Sequence, residues 1–185
     1  MDNKDFTEFF DNKRDEMLNK WNRVLPSNEL LFDRWDKAKY IGAGEGTSIY
    51  DSCMIIGDVE IGENVWIGPF SVLDGLGGLK IGNGTRIGMC TELFSHDGSR
   101  HTLSGGVEEM RYAATEIGEF CHVGANSTVY MGITIGHHSL VGAGSVITKS
   151  FPPYSIIAGV PARRIGQVEI DENNKVEYTI FKSED

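Results

Sequence analysis

The sequence has no long apolar run. Its first twenty residues, Met1 to Lys20, carry charges throughout, and no later stretch approaches the eighteen or so apolar residues that a membrane span needs. These absences exclude a membrane-spanning chain, and we expect a soluble, cytoplasmic protein. The 185 residues, 40% of them apolar, are enough for one domain with a sizeable core.

Cysteine is also scarce. Cys53, Cys90 and Cys121 are the three in the chain, and no two of them form a C-x-x-C pair. This argues against a disulfide framework, and no C-x-x-C pair indicates a zinc site, so we expect reduced, partly buried thiols. No Cys or Ser has the surroundings of an activated nucleophile, so nothing indicates a covalent intermediate.

Acidic residues are missing from one long segment. The chain has 27 Asp and Glu and a net charge of -10, which argues against nucleic acid as a partner, yet residues 120–168 contain none. The charged residues of this acid-free segment are Lys149, Arg163 and Arg164. Such a positive region suits a small polyanion, for example a phosphorylated cofactor, and equally suits a neutral surface that faces another subunit.

What the sequence does contain is a repeat of six. An Ile, Leu or Val returns every six residues, apart from two gaps, at fourteen positions: Ile49, Ile55, Ile61, Ile67, Leu73, Ile81, Ile87, Leu93, Ile117, Val123, Val129, Ile135, Val141 and Ile147. Two residues before most of these stands a small or β-branched side chain, such as Thr47, Ser71 or Thr85. Neither an α-helix nor a lone strand has this period.

A period of six fits a three-sided coil of short strands. Each turn has three strands of about six residues, the aliphatic side chain points inward, and turns stack as parallel strands. Five turns at about 4.8 Å each give a prism about 24 Å tall. We therefore predict an all-β fold, a parallel β-helix of about five coils, whose outer faces and interruptions carry the function.

Two interruptions break the repeat. A two-residue insertion lies between Leu73 and Ile81, in Asp74-Gly75-Leu76-Gly77-Gly78. A far larger excursion follows Leu93, and we place it at residues 95–114, beginning Ser95-His96-Asp97. A loop of this length is uncommon unless it is functional, so the excursion is the first place to look for a site.

The coil is flanked by two other segments. Residues 1–40 are predicted to form a helical cap, with one amphipathic helix from Phe6 to Leu25 and a second helix from a Ser27 cap to about Lys39. The coil domain occupies residues 41–166, and Pro161 should interrupt any regular strand there. Residues 167–185 form the tail, in which the alternation around a turn at 171–174 predicts a β-hairpin.

Two motifs add a family resemblance to the hexads. Residues 141–149 read Val-Gly-Ala-Gly-Ser-Val-Ile-Thr-Lys, and residues 158–163 read Ala-Gly-Val-Pro-Ala-Arg. With the long loop that begins at His96-Asp97, they make residues 41–166 resemble the hexapeptide-repeat acetyltransferases, in particular the sugar O-acetyltransferase branch with the galactoside and maltose enzymes. The resemblance implies a left-handed coil, acetyl-CoA as co-substrate and a homotrimer with active sites between subunits.

The resemblance also implies roles for individual residues. His96 stands where the family has its general base, and Asp97 could orient it or face water. The family's coenzyme groove would run along the last two coils, lined by Ala125, Ala143 and Thr148, with Lys149 and Arg163 near the phosphates and Arg164 as a further candidate. Asp74 and His101 are weaker candidates for contact with the acceptor. His122, His137 and His138 are interpreted as surface residues, and no metal is expected.

The activity expected from this resemblance is transfer of acetyl to a hydroxyl of a sugar or polysaccharide precursor. Two alternatives remain open: N-acetylation of an amino sugar carried on a nucleotide, and a non-catalytic trimeric scaffold. A zinc lyase built on the same coil is disfavoured because no histidine precedes His96.

Overall fold

The computed structural model describes residues 3–181, with side chains from residue 5 onward. The first two and last four residues, which the sequence analysis assigns to the cap and the tail, lie outside this range. The helices are α1 (Asn3–Trp21), α2 (Ser27–Leu31), α3 (Arg34–Tyr40) and α4 (Ser99–Leu103). None of the helices in the described range combines the length and apolar character that crossing a membrane requires.

The described residues also contain seventeen strands, most of them short. They are β1 (Ser48–Ile49), β2 (Met54–Ile61), β3 (Trp66–Ile67), β4 (Val72–Ile81), β5 (Arg86–Ile87), β6 (Glu92–Leu93), β7 (His96–Asp97), β8 (Arg111–Tyr112), β9 (Thr115–Ile117), β10 (His122–Val123), β11 (Thr128–Val129), β12 (Thr134–Ile135), β13 (Leu140–Val141), β14 (Val146–Ile147), β15 (Ser155–Gly159), β16 (Ala162–Ile170) and β17 (Val176–Ile180).

These strands form a three-sided parallel coil, as the hexads predict. The first face runs β1-β3-β5-β10-β13-β15. The second face holds the starts of β2 and β4 with β6, β11 and β14, and the third holds the ends of β2 and β4 with β9 and β12. Five coils result: residues 48–65, 66–85, 86–121, 122–139 and 140–154.

The aliphatic ladder is the core. Thirteen of the fourteen predicted residues are buried, and Ile55, in the first coil, is partly buried against them. Phe151 and Ile157 extend the ladder upward. The small residues two positions earlier point inward too, and their hydroxyls satisfy corner carbonyls of neighbouring coils, as when Thr47 donates to Gly62 O at 2.7 Å and Thr85 to Gly118 O at 2.7 Å. Because the buried hydroxyls are paired, the narrow interior tolerates them.

The prism has three corners, each a column of turns. The first corner, between the first and second faces, includes residues 124–127 and 142–145. The second corner, between the second and third faces, includes residues 56–58, 74–78, 94–114, 130–133 and 148–150. The third corner joins the third face to the first and includes residues 118–121 and 136–139.

The helical cap differs from the prediction in two places. Helix α1 ends at Trp21, so Leu25 lies outside it. The predicted second helix is two helices, because Phe32 is extended and Asp33 caps α3 by accepting from Trp35 N at 2.8 Å and Asp36 N at 3.3 Å. Ser27 is the first residue of α2 and makes no capping bond.

Buried polar contacts attach the cap to the first coil. Glu29 accepts hydrogen bonds from Asp51 N and Ser52 N, and Lys37 Nζ donates to three backbone carbonyls of residues 50–53. At the other end of the prism, β16 and β17 pair as the predicted hairpin, with Val168 opposite Tyr178 and Ile170 opposite Val176. Pro161 does interrupt the strands, although only residues 160–161 separate β15 from β16.

Candidate active site

Both interruptions of the repeat leave the prism at the second corner, in adjacent coils. The insertion belongs to coil two and the excursion to coil three, and β4 pairs with β6 so that Leu73 lies beside Leu93. The residues that follow Leu73 in coil two therefore lie next to the residues that follow Leu93 in coil three. This brings Asp74 to His96, although 22 positions separate them in the chain.

Asp74 is the hydrogen-bond partner of the His96 ring. Its side chain is 1% exposed, and its Oδ2 contacts Nδ1 of His96 at short range. Oδ2 also accepts from Ser95 N at 3.1 Å, and Oδ1 accepts from Leu76 N at 3.0 Å. Burial alone would raise the pKa of the Asp74 carboxyl, but the hydrogen bonds from Leu76, His96 and Ser95 together hold that pKa below its ordinary value.

An ionised carboxylate can only accept hydrogen bonds, so it fixes the imidazole tautomer. The hydrogen of a neutral His96 ring must lie on Nδ1, facing Asp74, and the lone pair must lie on Nε2. The side chain of His96 is 27% exposed. The pair therefore has the arrangement of a general base oriented by a buried carboxylate.

A two-stranded ribbon positions His96 within the excursion. Strands β7 and β8 run antiparallel, with His96 opposite Tyr112 and Asp97 opposite Arg111. Adjacent residues of a strand point to opposite sides, so the ribbon has two different faces. His96 and Tyr112 share one face, with ring centroids 6.3 Å apart and planes inclined by 26°.

The other face of the ribbon anchors it. Asp97 accepts from Ser99 N and Ser99 Oγ, both at 2.9 Å, and lies 3.9 Å from Arg111. These two bonds from Ser99, together with the Tyr130 phenol and the Arg111 charge, hold the pKa of Asp97 below its ordinary value. Tyr130 belongs to the next coil, so Asp97 fastens the excursion to the prism. The suggestion that Asp97 orients His96 is thus replaced: Asp74 makes that contact.

Ser95 and Gly77 join the two interruptions, a role that was not predicted for either residue from the sequence. Ser95 is fully buried; its N–H donates to Asp74, its Oγ accepts from Gly77 N at 2.8 Å, and its carbonyl accepts from Ala113 N at 2.9 Å. A Cβ on Gly77 would collide with the Ser95 carbonyl oxygen and lie 2.8 Å from Ala113 N. The pairing of these two segments could have been found from the hexad register, because that register places Leu73 and Leu93 side by side in successive coils.

The two candidates for acceptor contact have other partners. Asp74 lies behind His96 and its carboxylate is occupied by the three bonds described above. Nδ1 of His101 lies 2.7 Å from Glu108 O, and Arg100 pairs with Glu108 at 3.2 Å. These contacts therefore connect residues within the excursion to one another and leave Nδ1 of His101 already hydrogen-bonded.

The residues expected to bind the coenzyme divide between two corners. Ala125 and Ala143 lie on the first corner in successive coils, where Gly144 N donates to Ala125 O at 2.9 Å. Thr148 and Lys149 lie on the second corner, one coil above Tyr130, and both are exposed. The second face of the prism separates these two groups.

The two arginines lie on β16. Arg163 is exposed and donates to Ala162 O at 3.0 Å, while β16 pairs it with Ala158. Arg164 packs 5.4 Å from the Phe181 ring centroid and donates to Gln167 at 3.2 Å. Its Nε is buried and has no hydrogen-bond partner among the described residues. A single chain therefore does not gather all six residues around one groove.

The remaining histidines lie away from His96. His137 and His138 occupy the third corner with Nδ1 atoms 2.9 Å apart, and His138 stacks on Tyr154. Burial, followed by the charge of His137, lowers the pKa of His138. Within the described residues, no group of three or more His, Cys, Asp or Glu side chains is placed to hold a metal ion.

Comparison with known proteins agrees with this architecture. Residues 115–149 match the family model described as the hexapeptide repeat of succinyl-transferase. The chain is 36% identical over 140 residues to a bifunctional protein GlmU of Anaplasma marginale, covering 72% of this chain and 30% of that protein. It is 40% identical over 82 residues to the galactoside O-acetyltransferase of Escherichia coli K12, covering 44% of this chain and 38% of that protein. The chain thus spans about a third of the length of these relatives.

Solved structures share the fold. A single-residue variant of AntD, an N-acyltransferase from Bacillus cereus bound to dTDP-4-amino-4,6-dideoxyglucose and coenzyme A, superposes with a TM-score of 0.62 at 22% identity, covering 76% of this chain and 90% of that one. The hexapeptide-repeat acetyltransferase VCA0836 of Vibrio cholerae, complexed with acetyl coenzyme A, gives a TM-score of 0.55 at 22% identity, covering 86% and 87%. The coil described here is the left-handed β-helix of these proteins.

Proposed function

The chain belongs to the hexapeptide-repeat acetyltransferase family, and we propose that it transfers acetyl from acetyl-CoA to a hydroxyl group of a sugar or polysaccharide precursor. The observation that carries the proposal is the contact between buried Asp74 and His96 at the corner where both interruptions emerge. An alcohol is a weak nucleophile at neutral pH, so its attack needs a base, and this pair supplies one.

The reaction requires no covalent enzyme intermediate. The acceptor oxygen attacks the thioester carbonyl carbon while Nε2 of His96 takes the hydroxyl proton. The tetrahedral intermediate then collapses, the carbon–sulfur bond breaks, and the imidazolium returns the proton to the leaving thiolate. Asp74 stabilises the imidazolium between these steps, as its buried, hydrogen-bonded carboxylate permits. A backbone amide serves as the donor to the oxyanion.

The coenzyme is proposed to bind along the upper coils. Thr148 and Lys149 lie on the same corner as His96 and two coils above it, which corresponds to about 10 Å at one strand spacing per coil. Pantetheine can extend over that distance and bring its thioester to Nε2. The acid-free segment provides the electrostatic setting for the phosphates, since Lys149 and Arg163 meet no opposing carboxylate within it.

A homotrimer would complete the coenzyme site. Ala125, Ala143 and Arg163 lie on or near the first corner, whereas Thr148 and Lys149 lie on the second. Packing the first corner of one copy against the second corner of the next would bring both groups to one groove. The second face between them is suited to burial at its upper end, because its outward residues Thr128 and Val146 are uncharged and already half-buried.

N-acetylation of an amino sugar carried on a nucleotide is the second candidate. The fold it would use is that of AntD, which was solved with a dTDP-linked amino sugar. An uncharged amine is a better nucleophile than an alcohol and depends less on a base. The oriented Asp74 and His96 pair favours the hydroxyl acceptor.

An acceptor screen tests the proposal. Release of coenzyme A from acetyl-CoA is measured with hydroxyl sugars, with nucleotide-linked amino sugars and without acceptor. We expect release that depends on a hydroxyl sugar. Release with amino sugars alone would establish the second candidate, and the absence of release with every acceptor would favour the non-catalytic scaffold.

A further inference from the structure

Tyr112 is the exposed aromatic residue beside the proposed base. It stands directly opposite His96 across the β7–β8 ribbon, and the two rings are nearly parallel. Its side chain is more than half exposed, at 56%, and its hydroxyl makes no hydrogen bond to any residue in the described part of the chain. Neither core packing nor internal hydrogen bonding therefore accounts for a tyrosine at this position.

The ribbon holds Tyr112 in a fixed place. Its neighbour Arg111 lies on the opposite face, beside Asp97, and Asp97 is bound in turn by Ser99 and the phenol of Tyr130. Ala113, the next residue, donates its N–H to buried Ser95. An exposed ring with both neighbours anchored is already ordered before a ligand arrives, which lowers the entropy cost of binding.

Four of the five charged side chains of the excursion lie in two pairs, and the fifth, Glu109, is exposed. Arg100 contacts Glu108 at 3.2 Å, and Arg111 lies 3.9 Å from Asp97. Asp74 is buried behind His96. The rings of His96 and Tyr112 lie on one face of the ribbon, and that face carries no formal charge while His96 is neutral.

We propose that Tyr112 is the platform on which the acceptor ring stacks, and that the acceptor is a cyclic sugar with a face of C–H groups. This inference rests on the proposed function, since it concerns the same site. The face of an aromatic ring is apolar and carries partial negative charge, which complements the C–H hydrogens on one side of a pyranose. A pyranose in contact with Tyr112, about 4 Å above the ring, presents its rim hydroxyls toward Nε2 of the neighbouring His96. An open-chain polyol has no such face.

Substitution of Tyr112 tests the platform kinetically. For a pyranose acceptor, Tyr112→Ala should raise KM about threefold to tenfold, the effect expected for one aromatic contact, with the KM for acetyl-CoA unchanged. Tyr112→Phe should match the wild type, because the ring and not the hydroxyl makes the contact. An open-chain polyol should be a poor acceptor for all three proteins. Tyr178→Ala removes an equally exposed tyrosine from the C-terminal hairpin and serves as the matched control.

A binding measurement separates this inference from the proposed function. Saturation-transfer NMR with a panel of methyl pyranosides and the coenzyme A-loaded protein should show contact that Tyr112→Ala weakens about threefold to tenfold and Tyr112→Phe retains. Contact that depends on Tyr112 without acetylation of any hydroxyl would refute the proposed function alone. Acetylation with an unchanged acceptor KM in Tyr112→Ala would refute the platform alone. If Tyr112→Phe is as damaging as Tyr112→Ala, or if no pyranoside binds, the platform is wrong.

Discussion

At the scale of single residues, the role proposed for His96 depends on which of its ring nitrogens carries the hydrogen. Asp74 accepts from Nδ1, and this leaves Nε2 free to act as a base. Asp74→Asn offers an amide that can donate to Nδ1 instead, which would place the hydrogen on Nε2. We expect turnover to fall roughly a hundredfold, since general base catalysis contributes about that much, with little change in the KM for acetyl-CoA. Wild-type turnover in Asp74→Asn would mean that the carboxylate does not orient the base.

The same substitution has a signature in the pH dependence of stability. The folded protein holds the pKa of Asp74 below its ordinary value. The resulting stabilisation is complete above the unfolded pKa, near pH 4, and is lost as the pH falls through the lower folded pKa. Chemical denaturation from pH 6 down to acid conditions should therefore show a steeper loss for the wild type than for Asp74→Asn. If the free energy of unfolding fell with pH equally in both proteins, the lowered pKa of Asp74 would be contradicted.

The sequence identified His96 but not its partner. The motif that marks His96 is local, whereas its contact with Asp74 arises only when two coils of different length are stacked. Asp97, the immediate neighbour in the chain, was the more obvious candidate, but strand alternation directs it to the other face of the ribbon. Tyr112 and Tyr130 were missed for the same reason, since each reaches the site from a separate strand or coil.

At the scale of elements, Gly77 couples the insertion to the excursion. Gly77→Ala would push a methyl group against the Ser95 carbonyl and displace the start of the ribbon. A displacement of about 1 Å at a base can cost on the order of a hundredfold, so we expect turnover to fall tenfold to a hundredfold while the unfolding temperature of the prism changes little. Both quantities can be measured on the same preparation.

Gly98→Ala is the matched control for this substitution. Gly98 lies in the same excursion, but a methyl group there meets only the flexible end of Met110, at 2.9 Å from its sulfur. The Gly98→Ala variant should therefore retain most of the wild-type turnover. An equal loss of turnover in Gly77→Ala and Gly98→Ala would show that any added methyl group in this region impairs activity. Gly77 would then have no specific role in coupling the insertion to the excursion.

The helical cap shows what sequence patterns resolve less well. Apolar spacing predicts helices in residues 1–40, but it gives no sign that Phe32 becomes extended and divides the second helix. The capping signal lay in Asp33, whose carboxylate accepts from the N–H groups of Trp35 and Asp36 in α3. Two short helices result because Glu29 and Lys37 must both reach the corner of the first coil.

At the scale of the whole molecule, the fold was the most predictable feature. The hexads specify an inward ladder, and 13 of the 14 residues are buried as expected. The register of such a repeat can be predicted from the sequence, because the same six-residue spacing recurs in every coil. The six-residue spacing also separates Ala143 from Lys149 by one face, but the repeat does not say which copy of the chain completes the coenzyme groove.

Mixed assemblies test whether the coenzyme site is shared between copies. Lys149→Ala and Arg163→Ala should each weaken coenzyme A binding and its dependence on salt. If Lys149 comes from one copy and Arg163 from the next, each trimer that contains both variants should regain about one of its three sites. Titration of tandem-purified mixed assemblies with coenzyme A would detect these sites. No tight sites in the mixture would place both residues in the site of one chain.

The turnover of His96→Ala shows whether His96 is the general base. Coenzyme A release with a hydroxyl sugar should fall on the order of a hundredfold or more, with affinity for coenzyme A nearly intact, whereas His122→Ala, the matched change at an exposed histidine of the first face, should remain fully active. Undiminished turnover in His96→Ala would contradict the account.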